Sequence, residues 1–182
     1  MTQPTESAAP EGHTAPINAP RTRLAERVAW APIAVAIVVI DQLTKMWAVD
    51  ALADGRTIDL VWTLRFNLTY NTGMSFGAGR GWGPIIGVVA MVVIVVLLLG
   101  MRHGRGRAAL LAVGAIVGGA IGNLIDRVFR EPGWLRGGVV DFIDLQWFPI
   151  FNVADMAITV GGAVLLLASW QAGREGVSTD AG

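Results

Sequence analysis

Between residues 84 and 101 the chain carries no polar or charged side chain. Few folds can hold such a stretch. It is close to the roughly 20 apolar residues a helix needs to cross the hydrocarbon core of a bilayer. In that medium every backbone N–H and C=O must be bonded internally, so a helix forms where a lone strand or loop would not. Three more runs have the same character, at about residues 28–49, 108–128 and 152–170. With 53% hydrophobic residues, 15% charged and a mean hydropathy of +0.55, the chain is too apolar for an ordinary soluble domain of 182 residues. The expected fold is a membrane protein, mainly α, with four transmembrane helices.

A second periodicity interrupts the helical pattern. Ile58, Leu60, Trp62, Leu64, Phe66, Leu68 and Tyr70 alternate with mostly polar residues, the period of a β-strand with one apolar face. We expect a small β-ribbon or cradle at about residues 56–77, as one strand or as two joined by a kink, outside the membrane. The Gly-containing stretch 71–77 at its end has turn composition. Asn71 reads there either as a turn residue or as part of a polar site. Residues 1–20 hold four of the eight prolines and little that is large and apolar, so they are expected to be a disordered tail. Residues 21–171 form the four-helix domain, and 172–182 a flexible C-terminal tail. The first span follows Arg21, Arg23 and Arg27 with no small-residue cleavage site after it, and is read as a retained anchor.

Those arginines, and the dense basic loop Arg102, His103, Arg105 and Arg107, place two loop ends on one side. By the positive-inside rule that side is cytoplasmic. Four spans then put both termini inside, and gather the unusual polar residues at the extracytoplasmic ends. A net charge of zero and the absence of a long basic block give no support to a nucleic-acid partner. Without cysteine there is no disulfide, thiolate metal site or cysteine nucleophile, and His13 and His103 are too few for a histidine cage. No metal or cofactor is expected, which leaves carboxylates, hydroxyls, amides, Lys and Arg for any chemistry.

The polar residues fall in helical register. Asp41 and Lys45 are four apart and share a face, as do Asn123 and Arg127. Asn152, Asp155 and Thr159 share another. Gly114, Gly118 and Gly122 make a small-residue edge against which a second helix can approach closely. Asp126 either marks a helix end or belongs with its neighbours Asn123 and Arg127. Asp141 and Asp155 stand at the edge of the last span, where an ionised acid costs about 2.5 to 3.5 kcal/mol on insertion scales and so calls for a function. Two carboxylates held close cannot both ionise easily and come to share a proton. Such a pair can activate water and polarise a peptide carbonyl. Equally, it can be an ion or proton site in a small carrier, with Asp155 and Lys45 as a charge relay.

The wording around these residues resembles the lipoprotein signal peptidase family, also called signal peptidase II. Five stretches carry the similarity, in order: DQLTK at 41–45, NTGMSFG at 71–77, GGAIGNLIDR at 118–127, VVDFIDL at 139–145 and FNVAD at 151–155. The resemblance implies an intramembrane aspartic endopeptidase of the bacterial cytoplasmic (inner) membrane. It implies that Asp141 and Asp155 are catalytic, that Asp126 is structural, and that Asp41, Lys45, Asn71, Gly122, Asn123, Arg127 and Asn152 support the site or bind substrate. The implied partner is a prolipoprotein bearing a diacylglyceryl-cysteine, cut just before that cysteine, with membrane lipid around it. A monomer is expected, because the glycine edge is used up inside the bundle. Asp144 is expected to be a solvated neighbour of the dyad. Met156 departs from the family pattern, in which a small residue is usual, and is expected to alter the pocket.

Overall fold

The structure is a computed structural model, and describes residues 29–73, 82–100 and 106–179. The tail at 1–20, the arginines at 21, 23 and 27, the stretch 74–77 and the basic residues at 102, 103 and 105 lie outside the described residues. In chain order the elements are α1 (Ala31–Ala51), β1 (Ile58–Val61), β2 (Leu64–Asn71), α2 (Gly83–Gly100), α3 (Arg107–Phe129), β3 (Val139–Asp144) and α4 (Val153–Thr179). All four helices are long and apolar enough to cross a membrane. Three begin or end within a few residues of the expected spans. The fourth continues as helix to Thr179, past its apolar part.

Helix α3 is the centre of the bundle and the most buried of the four. Its glycines explain how it gets there. A Cβ on Gly114 would come within 2.7 Å of the Trp30 carbonyl, and one on Gly118 within 2.7 Å of the Ala34 carbonyl, so α1 lies against bare backbone. Gly119 and Gly161 do the same between α3 and α4, facing Ala154 and Ala112 respectively. Hydrocarbon solvates apolar side chains as well as a protein core does, so close backbone contact of this kind is what holds helices together in a membrane. The outward faces are left to lipid: Val88, Val92, Val95, Val96 and Leu99 of α2 are exposed.

The ribbon resolves into two antiparallel strands. β1 and β2 pair with Ile58 opposite Phe66, and the chain reverses at Trp62, whose φ is 51°. β3 joins the other edge of β2, with Thr69 opposite Asp141 and Asn71 opposite Val139, giving a sheet in the order β1-β2-β3. Trp47 of α1 meets Phe66 edge-on at 5.0 Å and Phe142 at 6.2 Å, fastening the sheet to the end of the first helix. The apolar face of the ribbon thus packs on the protein near this root, while its tip, Val61 and Trp62, is exposed.

Asp144 is not a solvated neighbour. It is 3% exposed and ties β3 to β2, accepting from Arg65 Nε at 2.8 Å, Asn67 Nδ2 at 3.0 Å and the N–H of Gln146 at 2.6 Å. Burial opposes its charge, but the donors of Asn67 and Arg65 prevail and hold the carboxyl below its usual range. The cause is register: Arg65 stands directly opposite Asp144 across the strands. The loop between α3 and β3 packs on α2. Leu135, at φ 66°, presses onto α2 where a Cβ on Gly87 would come within 2.8 Å of its side chain.

Candidate active site

At one end of the bundle, the polar residues of α1, α3, β2, β3 and α4 converge on a single network. Its root is Lys45, fully buried, whose Nζ lies 2.9 Å from Asp41 Oδ2, 2.9 Å from Asp126 Oδ2 and 2.9 Å from Asn123 Oδ1. Asp41 also accepts the N–H of Ala154 at 2.9 Å, which draws the start of α4 onto α1. Gly122 makes room for it, since a Cβ there would come within 2.5 Å of Asp41 Oδ2. Asp126, 1% exposed, accepts from Arg130 Nε at 2.7 Å and from the N–H of Val140 at 3.2 Å, so it ties β3 to α3. A buried ammonium with two carboxylates and an amide has its donors satisfied, and removing one partner of such a set typically costs about 3 to 5 kcal/mol.

A chain of amides runs from this root. Asn123 Nδ2 donates to Asp155 Oδ1 at 2.8 Å. Asn152 Nδ2 lies 2.6 Å from Asp141 Oδ1, 3.1 Å from Asn123 Oδ1 and 3.2 Å from the Val140 carbonyl. Asn71, the last residue of β2, donates to Asp141 Oδ2 at 3.1 Å while its own oxygen accepts the N–H of Gly73. It is therefore both the turn residue and the site residue. Asp141 is 2% exposed on β3. Burial first, and then the charge of Asp155, push its carboxyl up to about 7, against the opposing hydrogen bonds of Asn71 and Asn152.

Asp141 and Asp155 open onto one cavity of about 740 Å³. Asn71, Asn123, Arg127 and Thr159 line it beside the two acids, and Ile86, Ala90, Val93, Ile116, Ala120 and Ile158 form its apolar walls. Asp41, Lys45 and Asp126 do not face it. Arg127 is 8% exposed; it donates to the Asn123 carbonyl at 3.4 Å, and its Nε is a buried donor with no acceptor among the described residues. Met156 is 48% exposed and is not among the residues that line the cavity. Among the described residues there is no group of three or more metal-capable side chains.

The uniform helix α2, which has no polar residue to mark it, nevertheless supplies five residues to the cavity wall. No signal in its sequence distinguishes the cavity side from the lipid side. The Ala154 N–H bound by Asp41 is likewise invisible in sequence, being a backbone group.

Fold and site together define a multi-pass membrane protein with an acid and amide site at one end of its helix bundle, beside an apolar cavity. Residues 33–171 match the family described as Signal peptidase (SPase) II. The chain is 39% identical over 160 residues to the lipoprotein signal peptidase of Mycobacterium avium, covering 87% of this chain and 85% of that one. It is 47% identical over 150 residues to the lipoprotein signal peptidase of Bifidobacterium adolescentis, covering 80% and 79%. Among solved structures, a bacterial membrane enzyme determined by the in meso method at 2.3 Å superposes with a TM-score of 0.67 at 27% identity, covering 79% of this chain and 88% of that one. A second, determined at 1.9 Å, gives a TM-score of 0.63 at 28% identity, covering 77% and 91%. The chain belongs to the signal peptidase II family of bacterial membrane peptidases.

Proposed function

We propose that this protein is an intramembrane aspartic endopeptidase that removes the signal peptide from prolipoproteins, cutting before a diacylglyceryl-modified cysteine. The observation that carries the reading is the bridge at Asn152, which bonds to Asp141 through its side chain and to Asp155 through its backbone, at the head of an apolar cavity. The ionised member of the pair takes a proton from water as the water oxygen attacks the scissile carbonyl carbon. The protonated member gives its proton to the carbonyl oxygen. The tetrahedral intermediate then collapses: the C–N bond breaks, the leaving nitrogen receives the proton taken from water, and the new hydroxyl returns its proton to the second carboxylate. Water is divided between the two products and the pair is restored, with no covalent intermediate on the protein.

The rest of the site fits an extended, lipid-bearing peptide. The Nε of Arg127, which has no partner among the described residues, and the amide of Asn123 are donors for the substrate backbone or its lipid, and the apolar walls suit acyl chains and a hydrophobic signal segment. Asp41, Lys45, Asp126 and Gly122 brace the site from behind. Lys45 lies outside the cavity with its donors taken, which gives no support to a carrier in which Lys45 and Asp155 relay charge. Four spans with arginine-rich flanks at residues 21–27 and 102–107 support termini in the cytoplasm and a site facing outward. A monomer is supported by the glycine edge, which α1 already covers.

Purified protein in detergent is incubated with a diacylglyceryl-modified prolipoprotein, and cleavage is followed as a mobility shift and by mass. Wild type cleaves on the amino side of the modified cysteine, and the Asp141→Asn variant does not. Equal behaviour of the two ends the peptidase reading.

A further inference from the structure

Taking Asp141 and Asp155 as the pair proposed above, their surroundings are unequal. Asp141 sits on a strand, nearly inaccessible, and its two donors, the amides of Asn71 and Asn152, are bonded to no cation among the described residues. Asp155 is half-buried and lies in the first turn of α4, where the N-terminal peptide dipoles favour negative charge. Its donors are the backbone N–H of Asn152 at 3.3 Å and Asn123 Nδ2 at 2.8 Å.

Asn123 differs from the other amides. Its oxygen accepts from Lys45 Nζ at 2.9 Å and from Asn152 Nδ2 at 3.1 Å. With the oxygen held by two donors, one of them an ammonium, the amide has a single orientation, and its NH₂ faces Asp155. An amide polarised by a cation on its oxygen is also a stronger donor through its nitrogen. Lys45 therefore acts on Asp155 through an intervening residue, at a distance where it touches neither the cavity nor a reacting atom.

We infer that Lys45 is a positioning residue that sets the polarity of the dyad: through Asn123 it holds Asp155 as the ionised member that takes the proton from water, and leaves Asp141 to carry the proton given to the scissile carbonyl. The other charged groups facing the pair are Asp41 on α1 and Asp126 and Arg127 on α3. Asp41 and Asp126 are bonded to Lys45 and offset its charge, so that across space it lowers the Asp141 carboxyl less than its neighbours Asn71 and Asn152 do, while its hydrogen bond to Asn123 leads on to Asp155. Arg127 bonds to the Asn123 backbone and faces both acids, Asp141 foremost, so it does not separate them. Helix α2 carries no titratable residue, and α4 has none but Asp155 between residues 153 and 170. The upward displacement of Asp141 to about 7 agrees with its role as the proton carrier.

The test is the pH profile of kcat/KM for wild type, Lys45→Met, Lys45→Gln and Asn123→Leu, each checked for folding by thermal melting in detergent. Lys45→Met and Asn123→Leu are expected to move the acid limb up by about one pH unit, a roughly tenfold loss on the acid side beyond any loss on the plateau. Lys45→Gln, which keeps a donor for Asn123, restores most of the wild-type limb. If Lys45→Met does not fold, Asn123→Leu decides, because it leaves Lys45 with both of its carboxylates. A uniform fall in kcat with the acid limb unmoved overturns the inference and makes Lys45 a bracing residue only. Infrared spectra of the resting protein give a second reading: the protonated-carboxyl band is expected to vanish in Asp141→Asn and persist in Asp155→Asn, and the reverse also overturns it. Turnover at the wild-type rate in Asp141→Asn or Asp155→Asn is a separate outcome, in which the dyad itself fails.

Discussion

Asn152 and Asp155 cap each other. The side-chain oxygen of Asn152 accepts the N–H of Asp155 at 3.0 Å, and a carboxylate oxygen of Asp155 accepts the N–H of Asn152 at 3.3 Å. This is a reciprocal capping arrangement at the start of α4, built from an amide and an acid three residues apart. Here the cap also belongs to the site, because the free end of the Asn152 amide reaches Asp141. Asn152→Ala removes the helix cap and the bridge together. We expect a loss of about 1 kcal/mol for the cap, read as a lower melting temperature, and a fall in kcat/KM on the order of 100-fold from misplaced acids. A variant that melts early and yet turns over normally would separate the cap from the chemistry.

The acids divide by what they touch. Asp141 and Asp155 face the cavity, whereas Asp126 bonds to Lys45, Arg130 and the N–H of Val140. Asp141→Asn and Asp155→Asn are expected to lower turnover by about 10² to 10⁴-fold, the usual worth of a positioned acid or base. Asp126→Asn is expected to stay within about tenfold of wild type per folded molecule, while the amount of folded protein falls because a buried ion pair has lost a partner. Measuring activity against the folded fraction distinguishes the two cases. An equal and complete loss at normal expression contradicts the division.

The pH dependence follows from Asp141. Under the proposed assignment Asp141 donates a proton and is competent while protonated, and its carboxyl is raised to about 7 by burial and by the charge of Asp155. kcat/KM should therefore fall on the alkaline side as pH rises through this region, with the observed limb belonging to the coupled pair. Asn71 donates to Asp141 and favours its ionised form. Asn71→Leu removes that donor, so the alkaline limb is expected to move to higher pH. A downward movement would show that Asn71 works on Asp141 in the opposite sense.

Two glycines give a contrast in packing. A Cβ on Gly118 would meet the Ala34 backbone within 2.7 Å, and backbone cannot rotate away. Gly118→Ala is expected to cost about 1 to 3 kcal/mol by forcing α1 and α3 apart. Gly162 on α4 has nothing within 4 Å of its Cβ position. Gly162→Ala should be neutral or stabilise by up to about 1 kcal/mol through helix propensity. Melting temperatures of the two variants in one detergent check both, and equal effects would show that the α1–α3 contact is looser than described.

The chain by itself determined that four helices cross a bilayer, because hydrocarbon leaves backbone groups no other way to be bonded. It marked a ribbon through its alternation, leaving one strand or two open, and it marked Asp141 and Asp155 as residues whose place near hydrocarbon needs a reason. Local spacing also placed Asp41 beside Lys45, one helical turn away. Only the tertiary structure decided which distant partners these residues take. Lys45 reaches Asn123 across 78 positions, and Asp41 reaches a backbone N–H across 113. Strand register, absent from the alternation, turned Asp144 inward onto Arg65. Helix rotation, absent from a uniformly apolar sequence, turned one side of α2 to the cavity. Periodicity fixes the faces an element has, but the neighbour each face meets depends on how closely backbones can approach, and that is set by glycine contacts that exist only once the helices are packed.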